Sequence, residues 1–143
     1  MKLLVINGPN LNLLGVREPA LYGTQTYEAL CRKVRDYAAA RGVEVELYQS
    51  NHEGDLVDKI QEAYGKTDGI VINAGAYTHT SIALLDALKA VGIPAVEVHI
   101  TDPDAREPFR RVSYLRAACA ATISGRGLDG YTEAMAILIG ETQ

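Results

Sequence analysis

Residues 69–100, GIVINAGAYTHTSIALLDALKAVGIPAVEVHI, decide the fold of this chain. The stretch opens with a short β-branched run, continues with apolar residues at three- and four-residue steps, and closes with a second β-branched run. Gly92 and Pro94 separate the helical pattern from the second run, where they end a helix. This order predicts strand, helix and strand, which is the crossover unit of a parallel sheet.

The same alternation continues in both directions along the chain. Strands are predicted at residues 2–6, 43–48, 69–73, 95–100 and 120–124. Apolar positions of helical period are Tyr27, Leu30, Cys31, Val34 and Ala38; Leu56, Val57, Ile60 and Tyr64; Ile82, Leu85 and Leu88; and the closing stretch 131–139. Pro108 interrupts residues 103–118, where only short helical turns are expected.

Repeated strand–helix units predict a parallel sheet covered on both faces, with right-handed crossovers. We therefore expect an α/β fold: one three-layer flavodoxin-like domain, residues 1–143, with a five-stranded parallel sheet. The sequence contains no internal repeat or linker that would mark a second domain.

Composition narrows the class of protein. The chain has 143 residues and a formal net charge of -4, so it lacks the basic surplus that binding to a nucleic-acid backbone requires. Cys31 and Cys119 form no CxxC pair, which suits reduced thiols. Only residues 3–6 are continuously apolar near the start, far fewer than a signal peptide or a membrane span needs. We expect a cytoplasmic protein.

Polar residues collect where the predicted strands end, which is the edge at which parallel α/β sheets bind ligands. Alternation places Glu97 and His99 on one face of the fourth strand. A carboxylate in this position can orient the imidazole and keep it protonated for proton donation. The alternative is a partly buried ion pair without a chemical role.

The end of the third strand, NAGAYTHTS, offers Asn73 and His79 beside the start of a helix. Its hydroxyls can equally serve only as a helix N-cap, with His79 on the surface. Beyond His99, Ile100 and Thr101 supply backbone N–H groups and a hydroxyl suited to a carboxylate, and Arg110 follows in the irregular segment.

The loop after the first strand, residues 7–23, is called the opening loop below. It contains Asn10, Arg17 and Tyr22 among glycines and prolines. A guanidinium near a phenol favours the phenolate, so Arg17 and Tyr22 together suggest a base in a loop able to close over the strand ends. Asn10 could hydrogen-bond developing negative charge on oxygen. A surface loop with a packed tyrosine is the alternative.

Other chemistries fit less well. No lysine is placed at a strand end for a Schiff base, and His52, His79 and His99 lack metal-ligand spacing, so no metal is expected. GRGLDG at residues 125–130 matches a dinucleotide fingerprint, but too little chain follows it, so a packing turn is predicted. A phosphoacceptor signalling module would need acidic residues at these strand ends, but the sequence has Asn7, Asn10 and Asn73 there.

Five motifs resemble type II 3-dehydroquinate dehydratases, and the resemblance covers nearly the whole chain in order. They are GPNLNLLGVREPALYG (8–23), QSNHEGDLVDKI (49–60), INAGAYTHTSIALLDAL (72–88), EVHITD (97–102) and REPFR (106–110). The resemblance implies a flavodoxin-like subunit in a homododecamer built from trimers, acting in the shikimate pathway without a cofactor. Its implied reaction is reversible loss of water from 3-dehydroquinate. A non-enzymatic small-ligand or signalling module of the same fold is the alternative.

The resemblance also implies a role for each matching residue. Tyr22 would remove the C2 proton, with its pKa lowered by Arg17, while Asn10 would hold the enolate. His99, paired with Glu97, would protonate the departing C1 hydroxyl. The implied substrate contacts are Asn73, His79 and Arg110 for hydroxyls, Ile100 and Thr101 for the carboxylate, and Asp86 reaching a neighbouring subunit's site.

Four positions depart from the usual family pattern: Ala74, Thr101, Asp102 and Arg111, where Pro, Ser, Asn and His are more common. Thr101 keeps its hydroxyl. Asp102 is expected to place a negative charge near an anionic ligand, which Arg111 could offset. None of the four changes removes a group with an implied catalytic role.

Overall fold

The computed structural model describes residues 1–16, 20 and 25–141. In this part of the chain, strands and helices alternate as expected. They are β1 (Lys2–Asn7), α1 (Tyr27–Ala40), β2 (Glu44–Gln49), α2 (Glu53–Glu62), β3 (Gly69–Asn73), α3 (Ile82–Val91), β4 (Ala95–His99), β5 (Ala121–Ser124) and α4 (Asp129–Ile139). Short 3₁₀ turns occupy Leu11–Leu13, Gly75–His79, Pro103–Ala105, Pro108–Arg110 and Leu115–Ala118. The last three confirm that residues 103–118 form turns around Pro108 and no long helix.

The five strands form one parallel sheet in the order β2-β1-β3-β4-β5. This order and the helices between the strands confirm the predicted α/β three-layer fold, and the order is that of flavodoxin-like sheets. The strand order reverses between β1 and β3, where Asn7 pairs in register with Asn73. Ligands bind outside such a switch point, so both asparagines lie where a site is expected.

Alternation along the strands divides the core in two. Leu3 and Val5 pack on one face with Leu30 and Val34 of α1, whereas Leu4 faces the opposite layer. Each side chain of this size contributes roughly 1.5–3 kcal/mol on full burial, so both layers hold the sheet. A one-residue slip of β1 would exchange its two faces and expose neither to water, because both are covered.

Local signals explain three of the helix ends. The Thr26 hydroxyl accepts a hydrogen bond from the Ala29 N–H at 3.1 Å and caps α1. The Ser81 hydroxyl caps α3 in the same way through the Leu84 N–H at 3.0 Å, and Gly92 ends that helix with φ of 64°. None of the helices in residues 1–16, 20 and 25–141 is long and apolar enough to cross a membrane.

Two details of the predicted helix faces are wrong. On α3 the buried positions are Leu84, Ala87 and Leu88, while Ile82 is 55% exposed. This helix is apolar on more than one side, so its sequence pattern alone does not decide which side meets the sheet. Tyr64 is also exposed because α2 ends at Glu62, before that position can face the core.

The loops that follow β1 and β3 pack directly against each other. The Gly8 N–H donates to the Asn73 carbonyl at 2.8 Å, and a Cβ on Gly8 would lie 2.3 Å from the Ala74 carbonyl oxygen. Only glycine allows this approach. Ala74, one of the departures from the family pattern, is therefore buried in the contact that brings the ends of β1 and β3 together.

The glycine-rich segment before α4 forms a packing turn, as predicted. A Cβ on Gly130 would come within 3.3 Å of the Val98 side chain and 3.4 Å of Ile123. The start of α4 therefore lies directly on the sheet. The segment also meets the end of β4, where the Gly125 N–H donates to the His99 carbonyl at 3.2 Å.

Candidate active site

The Glu97–His99 pair forms as the alternation of β4 predicted. His99 Nε2 lies 2.9 Å from a carboxylate oxygen of Glu97. Glu97 is fully buried, and His99 is 7% exposed where the strand opens onto a cavity. Because a carboxylate accepts hydrogen, Nε2 carries the proton in this contact, and Nδ1 is the nitrogen not used by Glu97.

Glu97 receives three further donors, from the segment before β5 and from β5 itself. They are the hydroxyl of Ser113, the hydroxyl of Thr122 at 2.9 Å and Nε of Arg116 at 3.4 Å. Burial alone would raise the pKa of Glu97, but the hydrogen bonds from His99, Ser113 and Thr122 outweigh it and hold that pKa at about 2. The carboxylate is therefore charged at neutral pH, which is the state that holds an imidazole by charge as well as by hydrogen bond.

The hydrogen-bond donors around Glu97 were not predicted from the sequence, although the position of one of them could have been recognised. Thr122 is the register partner of Glu97 across β4 and β5, so a polar residue opposite a buried carboxylate could have been noticed. Ser113 and Arg116 come from the irregular segment, and no local pattern predicts where their side chains point.

Asn73 stands at the end of β3 in a buried hydrogen-bonded chain. Its Nδ2 donates to the Tyr131 hydroxyl at 2.9 Å, and that hydroxyl donates to Asn7 Oδ1 at 2.5 Å. Its Oδ1 accepts from the Gly75 N–H at 3.2 Å. Asn73 was predicted as a site residue from the sequence, whereas Asn7 was noted only as a polar residue after the first strand and Tyr131 only as part of a helix.

Asn10 is held by a different arrangement in the described part of the opening loop. Its φ is 69°, a left-handed conformation that asparagine tolerates better than most residues, and its N–H donates to Asn51 Oδ1 at 3.0 Å. Gln49 Nε2 lies 3.2 Å from the same Asn51 oxygen and 3.1 Å from the Gly8 carbonyl. These amides, contributed by the end of β2, hold the loop at the sheet edge.

His79 and Arg110 approach from the turn after β3 and the turn at Pro108–Arg110. His79 Nδ1 lies 2.7 Å from the Val112 carbonyl, so Nδ1 carries hydrogen and Nε2 is the nitrogen left for another group. Arg110 Nε bonds Glu107 at 2.7 Å, which holds the base of the guanidinium. Of the hydroxyls before α3, that of Ser81 is the one that caps the helix.

These groups meet around one cavity of about 250 Å³. Of the residues predicted from the sequence, those that line it are Asn10, Asn73, His79, His99, Ile100, Thr101 and Arg110. Arg106, which the sequence reasoning missed, lines it as well, and Leu11, Leu14 and Pro103 supply apolar wall. Among its described lining residues there are two arginines, two histidines and no acidic side chain, although the whole chain has a net charge of -4. The cavity favours an anion.

The remaining predicted residues are elsewhere. Glu97 lies behind His99 and does not line the cavity, whereas Asp86 is exposed on α3. Arg17 and Tyr22 lie outside the described residues. Asp102 points into the turn at Pro103–Ala105, where its carboxylate accepts the Asp104 N–H at 3.0 Å, so the expected negative charge is not part of the cavity lining. Arg111 is exposed.

Comparison with known proteins gives a consistent result. The family model described as Dehydroquinase class II matches residues 1–139. A 3-dehydroquinate dehydratase of Sulfurimonas denitrificans is 52% identical over 139 residues, covering 97% of this chain and 87% of that protein. A catabolic 3-dehydroquinase 2 of Aspergillus flavus is 56% identical over 133 residues, covering 93% of this chain and 89% of that protein.

Among solved structures, the type II dehydroquinase of Butyrivibrio crossotus superposes with a TM-score of 0.96 at 53% identity, covering 97% of each chain. A type II dehydroquinase from Propionibacterium acnes gives a TM-score of 0.93 at 40% identity, covering 98% of this chain and 97% of that one. The match therefore covers nearly the whole chain in both sequence and fold, and this chain belongs to the class II dehydroquinase family.

Proposed function

We propose that this chain catalyses the reversible elimination of water from 3-dehydroquinate, giving 3-dehydroshikimate through an enolate. The observation that carries the proposal is a buried Glu97–His99 pair opening onto a cavity lined with cationic groups. A ring that bears a carboxylate and several hydroxyls matches the charge, the size and the donors of this cavity. The reaction needs only a base, an acid and stabilisation of one oxyanion.

His99 is the proposed acid. Glu97 fixes the ring through Nε2, which leaves Nδ1 to give its proton to the C1 hydroxyl as the carbon–oxygen bond breaks and water leaves. The charge on Glu97 stabilises the imidazolium before the transfer. His99 is the catalytic residue in this step, and Glu97 acts through it.

Tyr22 is the proposed base, taking the C2 proton while Arg17 favours its phenolate and Asn10 holds the enolate oxygen. Support comes from the other tyrosines near the sheet edge. Burial raises the pKa of Tyr27 to about 12 and raises the pKa of Tyr131 as well, so both stay neutral phenols at pH 7. Neither can serve as the phenolate.

The cavity lining supports the proposed substrate contacts. Thr101 and Ile100 would receive the carboxylate, while Asn73, His79 and Arg110 would bind ring hydroxyls. The free Nε2 of His79 and the fixed guanidinium of Arg110 supply an acceptor and donors. No step of this route changes the oxidation state of the protein, and each proton has a named side chain as its source or destination.

We also propose the homododecamer of trimers, with Asp86 contributing to a neighbouring subunit's site. Support is the apolar surface on α3 and the turns beside it: Ile82, Phe109 and Val112 are 55%, 65% and 53% exposed. Asp86 lies exposed on the same helix as Ile82. Light scattering would give the assembly. Co-expression of Asp86→Ala with His99→Ala chains would restore activity only if the two residues work from different subunits.

The cellular assignment is part of the same proposal. We assign the chain to the cytoplasm and to the shikimate pathway leading toward aromatic amino acids. Unpaired Cys31 and Cys119 support a reducing compartment. Growth of a dehydratase-deficient bacterium without aromatic amino acids, restored by this chain, would support the biosynthetic role; restored growth on quinate alone would point to a catabolic one.

The direct test is to add 3-dehydroquinate and follow the ultraviolet absorbance of the conjugated enone product. We expect product formation by the native chain and loss of at least about 100-fold in kcat for His99→Ala. His52→Ala is the matched control, because His52 is exposed before α2 and lines no part of the cavity. A native chain that binds the substrate without any absorbance change would instead be a small-ligand module.

A further inference from the structure

The hydrogen-bonded chain beneath the cavity joins three separate elements. Asn7 ends β1, Asn73 ends β3 and Tyr131 comes from α4. Asn7 and Tyr131 are fully buried, and Asn73 is 4% exposed at the cavity wall. The proposed chemistry uses only Asn73, so the other two polar side chains need a separate explanation.

The direction of every hydrogen bond in the chain is determined by one backbone group. The Gly75 N–H can only donate, so the Asn73 atom facing it must be Oδ1. Nδ2 must then face Tyr131, whose hydroxyl accepts from Asn73 and uses its own hydrogen on Asn7 Oδ1. Rotating the Asn73 amide by half a turn would place Nδ2, a donor, against the Gly75 N–H, which is also a donor.

This arrangement leaves one hydrogen on Nδ2 and one lone pair on Oδ1 of Asn73 for a ligand. Which of them faces which hydroxyl of a bound ring depends on the amide orientation. An apolar residue at position 131 would fill the same core without this effect. The buried Tyr131 hydroxyl both accepts and donates in this chain, which specifies one arrangement of the Asn73 amide at a desolvation cost that an apolar core avoids.

We propose that Tyr131, anchored by Asn7, is a positioning residue that holds the Asn73 amide in the one orientation that binds a substrate hydroxyl. The inference rests on the proposed function, in which Asn73 contacts the substrate. It extends the site to two side chains that do not line the cavity. Their contribution is to substrate affinity, since neither reaches the reacting atoms.

Tyr131→Phe removes the hydroxyl and keeps the ring. Because a net hydrogen bond is worth about 1 kcal/mol, we expect KM to rise roughly five- to tenfold while kcat changes less than about threefold. Tyr37→Phe is the matched control: the Tyr37 hydroxyl bonds Glu141 at 2.9 Å, far from the cavity lining. That variant should lose stability without a change in KM.

A double-mutant cycle separates positioning from general destabilisation. In an Asn73→Ala background, adding Tyr131→Phe should leave KM unchanged, because the amide that Tyr131 positions is already gone. An unchanged KM in Tyr131→Phe itself, or an equal rise in both backgrounds, would overturn the inference. Should Tyr131→Phe fail to fold, Asn7→Ala takes its place, with a KM rise of roughly threefold expected and an unchanged KM contradicting the inference.

Failure of the proposed function gives a different result. A native chain without turnover but with calorimetrically measurable binding of 3-dehydroquinate would contradict the dehydratase proposal. The same cycle, read as changes in Kd, would then still decide the role of Tyr131. A native chain that neither binds nor converts 3-dehydroquinate would overturn both.

Discussion

The Glu97–His99 pair and Asn10 lie at the same sheet edge but are held in opposite ways. Glu97 is fully buried and bonded by side chains from β4, β5 and the segment between them. Asn10 is exposed, has a left-handed backbone and is held through its N–H. The comparison shows that the charge of Glu97 depends on donors that several elements bring together in the core, whereas the position of Asn10 depends on one turn and its backbone hydrogen bond.

The largest loss of turnover is expected for a substitution in the opening loop. Tyr22→Phe should abolish turnover and leave folding and substrate binding largely intact, because the variant lacks only the oxygen of the proposed base. The measurements are absorbance for turnover and calorimetry for 3-dehydroquinate binding. Tyr64→Phe is the control, because Tyr64 is exposed and does not line the cavity. Near-normal turnover in Tyr22→Phe would mean that the base is another group.

Glu97→Gln should have the next largest effect. It keeps the size of the side chain but removes the charge that orients and stabilises the imidazolium, so we expect kcat to fall roughly 100- to 1,000-fold with a smaller change in KM. Glu46→Gln is the control. Glu46 forms an ion pair with Lys59 at 2.8 Å, and neither residue lines the cavity. A kcat within a few-fold of native would show that His99 does not need the carboxylate.

Ser113→Ala tests whether hydrogen bonds control the charge of Glu97. The folded pKa of about 2 lies below the ordinary 4.5, so the resulting stability is present above pH 4.5 and is lost as the pH falls toward 2. Removing a donor should raise the folded pKa. The variant should therefore be less stable at pH 7 and lose less of its free energy of unfolding between pH 4.5 and 2.

Urea unfolding at a series of pH values measures this difference. Ser124→Ala is a suitable control, because Ser124 ends β5 beside His99 and is not a donor to Glu97 among the described contacts. Equal acid losses in Ser113→Ala and the native chain would mean that this hydroxyl has no influence on the carboxylate.

The smallest predicted effect is a difference in stability that comes from the backbone conformation of Asn10. Asn10→Gly and Asn10→Ala both remove the side-chain amide and should impair turnover alike. Alanine is disfavoured at φ of 69°, so the glycine variant should be more stable by about 1 kcal/mol in the free energy of unfolding. Chemical denaturation measures this. Equal stabilities would show that the loop relaxes out of the left-handed conformation.

Prediction from the sequence succeeded where signals were local. The β-branched runs located the strands to within one residue at each end, and the predicted stop at Gly92 ends α3. On α3, Leu88 is buried as predicted and Leu85 packs against the core, whereas Ile82 is exposed because the apolar residues of this helix cover more than one side. Ile82 lies on the side of α3 that does not pack on the sheet, so its side chain is exposed.

For the candidate site, the sequence predicted residues at strand ends because parallel strands bring those ends to one edge. Asn10, Asn73, His79 and His99 line the cavity for that reason. The sequence did not predict Arg106, Ser113 or Tyr131 as parts of the site. Each belongs to a turn or helix whose approach to the edge depends on packing between elements distant in the chain.

By itself, then, the sequence determined the strands and helices, their assembly into a parallel sheet and the polar residues at the strand ends. Periodicity and turn chemistry act over a few neighbouring residues and can therefore be recognised in the sequence. Only the tertiary structure decided which groups surround Glu97, which side of α3 is buried and how Asn73 is oriented. Those outcomes depend on contacts between residues distant in the chain, such as Asn73 and Tyr131, 58 positions apart, and Asn7 and Tyr131, 124 positions apart. They also depend on burial, which strengthens each of these hydrogen bonds.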